Sequence, residues 1–146
     1  MDDLLDVPKK VRKPRESSFW QQMKQAMKQH QPKWSATRLE SRVTHGVPDV
    51  LLLDHLGRWH LVELKTTDRN KVDISPHQVA FASKHSRGSC WIAVKFKTGS
   101  TSEIFLYRGD SAMDLRMDGL ATKPELKLTA PIDWSLFLKP LQFHKL

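Results

Sequence analysis

GVPDVLLLDHLGRWHLVELK, residues 46–65, is the stretch whose reading decides the fold. Two apolar runs, DVLLLD and WHLVELKT, lie on either side of a short polar turn and predict paired strands. A three-residue loop of His55, Leu56 and Gly57 leaves Asp54 opposite Arg58, with Gly57 in the left-handed conformation that such loops need. Counting outward, Leu53 meets Trp59, Leu51 meets Leu61, and Asp49 meets Glu63. Directly opposed residues have Cβ atoms about 5 Å apart. Lys65 shares their face, two residues beyond Glu63. A loop with an even number of residues breaks this register, so the reading hinges on Gly57.

Two carboxylates at that separation repel, which raises the pKa of one of them. A hard divalent cation removes the repulsion. Mg²⁺ takes oxygen ligands near about 2.1 Å and keeps several waters, and Mn²⁺ can substitute for it. Asp49, Glu63 and the carbonyl of Leu64 supply protein oxygens, leaving positions for water and a phosphate oxygen. Lys65 is then placed to orient or deprotonate an attacking water and to stabilise charge in a phosphoryl transition state. The same three side chains also read as surface salt bridges at a strand edge, and the residues alone leave both readings open.

Outward from this hairpin the pattern predicts an α/β core with a mixed central sheet flanked by helices. Phe19, Trp20, Met23 and Met27 recur at helical spacing, predicting a helix from Ser17 or Ser18 to His30 that Pro32 stops. WSATRLES reads as a short strand or an irregular approach to the sheet. SPHQVAFASKHSRG reads as a helix with Ser75 as its cap, Pro76 in its first turn and Gly88 able to end it. CWIAVKF and SEIFLYRG read as strands separated by KTGST, and SAMDLRM as a short helix. Among the tryptophans, Trp59 and Trp91 are expected in the core. His77 and His85 find no third ligand at a zinc spacing, and Cys90 is expected to be buried at the start of a strand.

The pairing of Pro48-Asp49 with Glu63-Leu64-Lys65 across a hairpin resembles the PD-(D/E)xK nuclease superfamily. The fuller GVPDVLLL…WHLVELK resembles the compact virus-type replication-repair nucleases, their bacteriophage relatives and the Holliday-junction resolvases. The resemblance spans about Glu16 to Phe96. It implies a restriction-endonuclease-like core, built from a helix, a three-stranded meander, a second helix and another strand. On its terms residues 1–15 are a basic arm, 16–108 the nuclease core, and 109–146 an extension packed on the core or in a dimer interface. It implies a Mg²⁺-dependent DNA endonuclease, selective for branched or junction DNA, with roles in DNA repair and recombination. The alternatives are a nicking or exonucleolytic repair enzyme and a non-catalytic DNA-binding protein on the same fold. It further implies that Glu16, on the first helix, joins Asp49, Glu63 and Leu64 at the metal, and that Gln78 touches Lys65 or the substrate.

The chain has 146 residues and a net charge of +8. From Lys9 to Arg42 the bases outnumber the acids, which are Glu16 and Glu40 alone. Such a field attracts phosphate backbones. Lys9, Lys10, Arg12 and Lys13 in the arm, together with Arg38, Arg42 and His45, are the expected DNA contacts. No apolar run reaches the roughly 18 residues a spanning helix needs, and the single cysteine allows no internal disulfide. A cytoplasmic location is expected, that of a bacterial host if the source is a phage. A homodimer is expected to match the two-fold character of a junction, with Trp134, Phe137, Leu138, Leu141 and Phe143 packed either in its interface or on their own domain. Neutralising Lys9, Lys10, Arg12 and Lys13 together is expected to flatten the dependence of log affinity for duplex DNA on log salt, by about 0.9 for each phosphate that the arm no longer neutralises. A salt titration of binding checks this, and an unchanged slope removes the arm from the interface.

Overall fold

The computed structural model describes residues 14–40 and 45–142. The arm residues Lys9, Lys10, Arg12 and Lys13, as well as Arg42 and Phe143, lie outside the described residues. Helix α1 (Pro14–His30) begins earlier than expected. Its first-turn N–H groups have no intrahelical partner, so a proline is tolerated there. Phe19, Trp20, Met23 and Met27 form its buried side, and Gln21, Lys24, Gln25 and Lys28 face outward. The chain continues through β1 (Ser35–Arg38), β2 (Val50–Leu53), β3 (Trp59–Thr67), α2 (Pro76–Lys84), β4 (Cys90–Thr98) and β5 (Thr101–Arg108). Helix α3 (Ala112–Asp118), strand β6 (Leu126–Thr129) and the short helices α4 (Trp134–Phe137) and α5 (Lys139–Gln142) complete the described part.

The strands form one sheet in the order β1-β2-β3-β4-β5-β6. Every neighbouring pair is antiparallel except β3 and β4, which are parallel. A parallel pair needs a crossover, and α2 supplies it. The result is a mixed, mostly antiparallel sheet flanked by helices. Strand β6 was not expected, because Leu126 and Leu128 are its only apolar residues and four residues are too few for alternation to stand out.

The β2–β3 register is the one that Gly57 dictates. Leu53 pairs with Trp59, Leu51 with Leu61 and Val50 with Val62. Gly57 has φ +79, its N–H donates to the Asp54 carbonyl at 3.0 Å, and the Asp54 N–H donates to the Arg58 carbonyl at 2.9 Å. Because strand residues alternate in direction, His60, Val62 and Leu64 face α1, while Trp59, Leu61, Glu63 and Lys65 face the side of α2.

Each face of the sheet carries its own core. On one, Phe19, Met23, Val62, Leu64, Trp91 and Leu106 pack with Phe137, Leu138 and Leu141. The C-terminal residues Phe137, Leu138 and Leu141 are therefore buried in their own domain, and Trp134 meets Phe19 with ring centroids 6.4 Å apart. On the other face, Val79 and Ala82 of α2 and Leu115 of α3 pack on Ile92, Val94, Phe105 and Tyr107. Trp91 is buried as expected, but Trp59, which pairs with Leu53 beside the turn of the hairpin, is 55% exposed. Among the described residues, no helix is long and apolar enough to cross a membrane.

A buried polar chain locks the hairpin. One Asp54 carboxylate oxygen accepts from the N–H groups of Leu56 and Arg58, both at 2.9 Å. The other accepts from Arg58 Nε at 2.8 Å and from His60 Nε2 at 2.9 Å. His60 Nδ1 meets Ser89 Oγ, which also accepts from Trp91 Nε1 at 2.7 Å. The order carboxylate, imidazole, hydroxyl matches a hydrolytic triad. Here, however, Trp34 stacks on His60 at 5.6 Å and all three residues are buried, so the chain is a structural clamp.

Burial alone would raise the Asp54 pKa, but the bonds from His60, Arg58 and Leu56 together hold it far below the usual carboxylate range. That stabilisation is present above the ordinary carboxylate pKa and is lost only in strong acid. Burial lowers the His60 pKa below its ordinary 6.5, against the pull of Asp54. In the window beneath 6.5 the unfolded chain takes up a proton that folded His60 resists, so stability falls as pH drops. Asp54→Ala is expected to cost about 3–5 kcal/mol, because it strips a buried partner from Arg58 and His60. Urea unfolding of wild type at neutral and mildly acidic pH should show the loss of stability, and His60→Gln should flatten it.

Candidate active site

The end of β2 carries Asp49 to the edge of β3, where Glu63 and Lys65 stand. Asp49 is 3% and Glu63 5% exposed, which is unusual for acids and demands partners. The Asp49 backbone carbonyl accepts from the Leu39 N–H at 2.7 Å, and its Oδ2 accepts from the Leu64 N–H at 3.1 Å. Glu63 Oε2 accepts from Gln78 Nε2 at 3.2 Å and lies 3.7 Å from Lys65 Nζ. The Cys90 thiol reports the same acidic environment. Its pKa is pushed up to about 11, first by burial and then by the charge of Glu63.

Pro48 has a specific place in this arrangement. The Asp54–Arg58 bond fixes which residues of β3 turn their backbone groups toward β2, and Leu64 is among them; Leu61 turns the other way, to the Ser89 carbonyl. The pairing ends at Val50 and Val62, and the same count carried two residues further would set Pro48 opposite Leu64. Proline has no N–H to donate, so it cannot draw the Leu64 carbonyl into the ladder. The Leu64 N–H goes instead to the Asp49 side chain.

Gln78 is held at both ends of its amide. The Ser75 hydroxyl accepts from the Gln78 N–H at 3.1 Å, and Gln78 Oε1 accepts from the Ser75 N–H at 3.0 Å. This capping box orients Nε2 toward Glu63. The cap at Ser75 was legible in the sequence, and the S-x-x-Q spacing was the signal for the reciprocal bond. Helix α2 stops at Lys84 rather than at Gly88, and His85 caps it. Gly46, with φ +85, lies so close to α2 that an added Cβ would stand 2.2 Å from the His77 carbonyl oxygen. His45, beside it, is exposed and stacks on His77 with ring centroids 5.1 Å apart.

The fold thus brings together Asp49, Glu63, Leu64, Lys65 and Gln78, with His45 on the neighbouring rim. Glu16 lies in the first turn of α1, which packs on the opposite face of the sheet from Glu63. Arg38 also faces α1, its guanidinium 5.9 Å from the centroid of the Trp20 ring. Among the described residues, no group of three or more His, Cys, Asp or Glu side chains converges as a metal site. Asp49 and Glu63 are two buried carboxylates tied to adjoining positions of β3, and with the Leu64 carbonyl they would offer a set of ligands that is all oxygen. This suits Mg²⁺ or Mn²⁺ with water filling the remaining positions, and it does not suit zinc. Arg116 and Met117 of α3 enter the cleft beside Lys65 without any local sequence signal, because long-range packing places them.

No protein-family model, curated protein or solved structure matches this chain.

Gly46→Ala is expected to strain the left-handed backbone and push α2 outward, lowering stability by about 1–3 kcal/mol. Chemical denaturation measures the loss. Faster alkylation of native Cys90, which is buried under α2, would report the displaced helix.

Proposed function

We propose that this chain is a divalent-metal-dependent deoxyribonuclease of the PD-(D/E)xK type that hydrolyses phosphodiester bonds in branched or junction DNA. The observation that carries the reading is the convergence of buried Asp49 and Glu63 with Lys65 in a chain of net charge +8. Acids sealed into a phosphate-attracting protein make chemical sense when a cation stands between acid and phosphate. The order α1, β1-β2-β3, α2, β4 is also the order implied by the resemblance in the sequence.

In this reading Asp49, Glu63 and the Leu64 carbonyl hold the metal. A bound Mg²⁺ supplies Lewis acidity toward a phosphate oxygen and toward water. The Leu64 N–H keeps the Asp49 carboxylate turned to the edge, and Gln78 fixes the rotamer of Glu63. Lys65, tethered near Glu63, donates hydrogen bonds to the attacking water or to a non-bridging phosphate oxygen, where its charge offsets the charge developing in the transition state. His45, exposed on the rim, can meet a flanking phosphate.

Asp49→Asn and Glu63→Gln are each expected to abolish detectable cleavage, with near-wild-type unfolding curves. Lys65→Ala is expected to lose about a hundredfold or more in rate while retaining more Mn²⁺ binding than either acid variant. The assay compares four-way junction, flap, duplex and single-stranded DNA with Mg²⁺, with Mn²⁺ and after chelation. Cleavage that survives both chelation and Asp49→Asn would overturn the proposal. Exclusive attack on DNA ends would turn it toward an exonuclease, and metal-independent binding without cleavage toward a non-catalytic DNA-binding protein.

A further inference from the structure

We infer that the cleft beside Lys65 receives a single DNA strand, with its phosphates toward Lys65 and Lys71 and its unstacked bases against a methionine ridge on α3. This rests on the nuclease reading for the chemical identity of the polymer. The cleft, about 690 Å³, opens between the end of β3, the loop before α2, and α3, and Lys65 and Gln78 of the candidate site line it. It is therefore continuous with the place where a scissile phosphate would lie.

The charge in the cleft selects an anion. Among the lining residues, Lys65, Lys71 and Arg116 stand with one acid, Asp73, whose carboxylate is 3.9 Å from Lys71 Nζ, while Glu63, 3.7 Å from Lys65 Nζ, lies behind the lining. Asp114 and Asp118 are exposed on α3 but do not line the cleft. The far wall differs in character. Met117 is 72% exposed and lines the cleft, and Met113, four residues earlier on the same side of α3, is 52% exposed. A duplex keeps its base faces inside the stack and offers an approaching protein phosphates and groove edges. A single strand carries phosphates on one side and exposed base faces on the other. A cleft that carries Lys65 and Lys71 on the side of β3 and its following loop, and the exposed Met117 on the side of α3, matches that second arrangement. The thioether is flexible and polarisable, so it packs on any base, and the expected binding is tolerant of sequence.

The wall is fixed relative to Lys65. Arg116 donates from Nη1 to the Ile74 carbonyl, Asn70 Nδ2 donates to the Asp118 carbonyl at 3.0 Å, and the Leu120 N–H donates to the Asn70 carbonyl at 2.9 Å. At Gly119, with φ +62, an added Cβ would stand 2.1 Å from the Asn70 carbonyl oxygen, so glycine is what lets α3 close on the loop. Unpaired nucleotides beside a junction or flap are the substrates such a cleft would favour, which gives the branched-DNA preference a physical source.

The test measures fluorescence anisotropy of a labelled single-stranded oligonucleotide and of its duplex, in Ca²⁺, with the full chain. Wild type is compared with the double variant Met113→Ala/Met117→Ala and with Lys71→Ala. The methionine variant should lose about tenfold in single-strand affinity, the scale expected for apolar side chains withdrawn from a packed base, with duplex affinity unchanged. Lys71→Ala should weaken both and reduce their salt dependence. Unchanged single-strand affinity in the methionine variant, or an equal loss on both DNAs, overturns the inference. Cleavage in Mg²⁺ separates the two proposals. A chain that binds single strands through the ridge yet cuts nothing refutes the nuclease reading alone. A chain that cuts every substrate equally well without the methionines refutes the cleft assignment alone.

Discussion

The carboxylate of Asp54 closes the turn between β2 and β3 by accepting two backbone N–H groups, and the same group grips Arg58 and His60 across the hairpin mouth. Because side chains alternate along a strand, a slip of one residue would send Glu63 and Lys65 into the α1 core and turn Val62 and Leu64 outward. The clamp and Gly57 therefore fix which face each residue of β3 occupies. The position of Asp49 beside Leu64, and the reach of Gln78 to Glu63, follow from that register.

The two ends of this hairpin treat buried charge differently. At the turn, Asp54 is satisfied by backbone, imidazole and guanidinium groups, and its role ends with the fold. At the open end, Asp49 and Glu63 are as deeply buried, but the amide of Gln78 and the ammonium of Lys65, which meet Glu63, also line an open cleft. Depth of burial does not distinguish the structural acid from the candidate catalytic ones. The partners of Glu63, which reach an adjoining cleft, do.

Much of the hairpin was legible in advance, because its signals are local. Gly57 specified the loop, the loop specified the register, and Ser75 specified the start of α2. The burial of Phe19, Met23 and Met27 followed from their spacing. Features set by distant packing were not legible. Trp59 reads as core by composition, yet it sits where no helix covers the sheet. Strand β6 exists because the edge of β5 is available to it, not because LKLT insists on being a strand. Glu16 and Arg38 lie on the α1 side of the sheet, a placement that depends on which face the first helix covers. The exposed methionines of α3 carry no signal at all until Asn70 and Gly119 bring that helix to the cleft.

The single parallel pairing divides the sheet into two antiparallel halves, β1-β2-β3 and β4-β5-β6, each assembled mostly from neighbours along the chain. Contacts between such neighbours form early, whereas the β3–β4 seam, which pairs Leu61 with Cys90, must first close a long loop through α2. Asp49, Glu63 and Lys65 belong wholly to the first half. Gln78 arrives with the crossover, and the wall bearing Met113 and Met117 arrives only with the second half. A chain emerging in order from its N-terminus would therefore hold its acidic pair before it holds the groove beside it, and the seam between the halves is the last step in making one surface of the two.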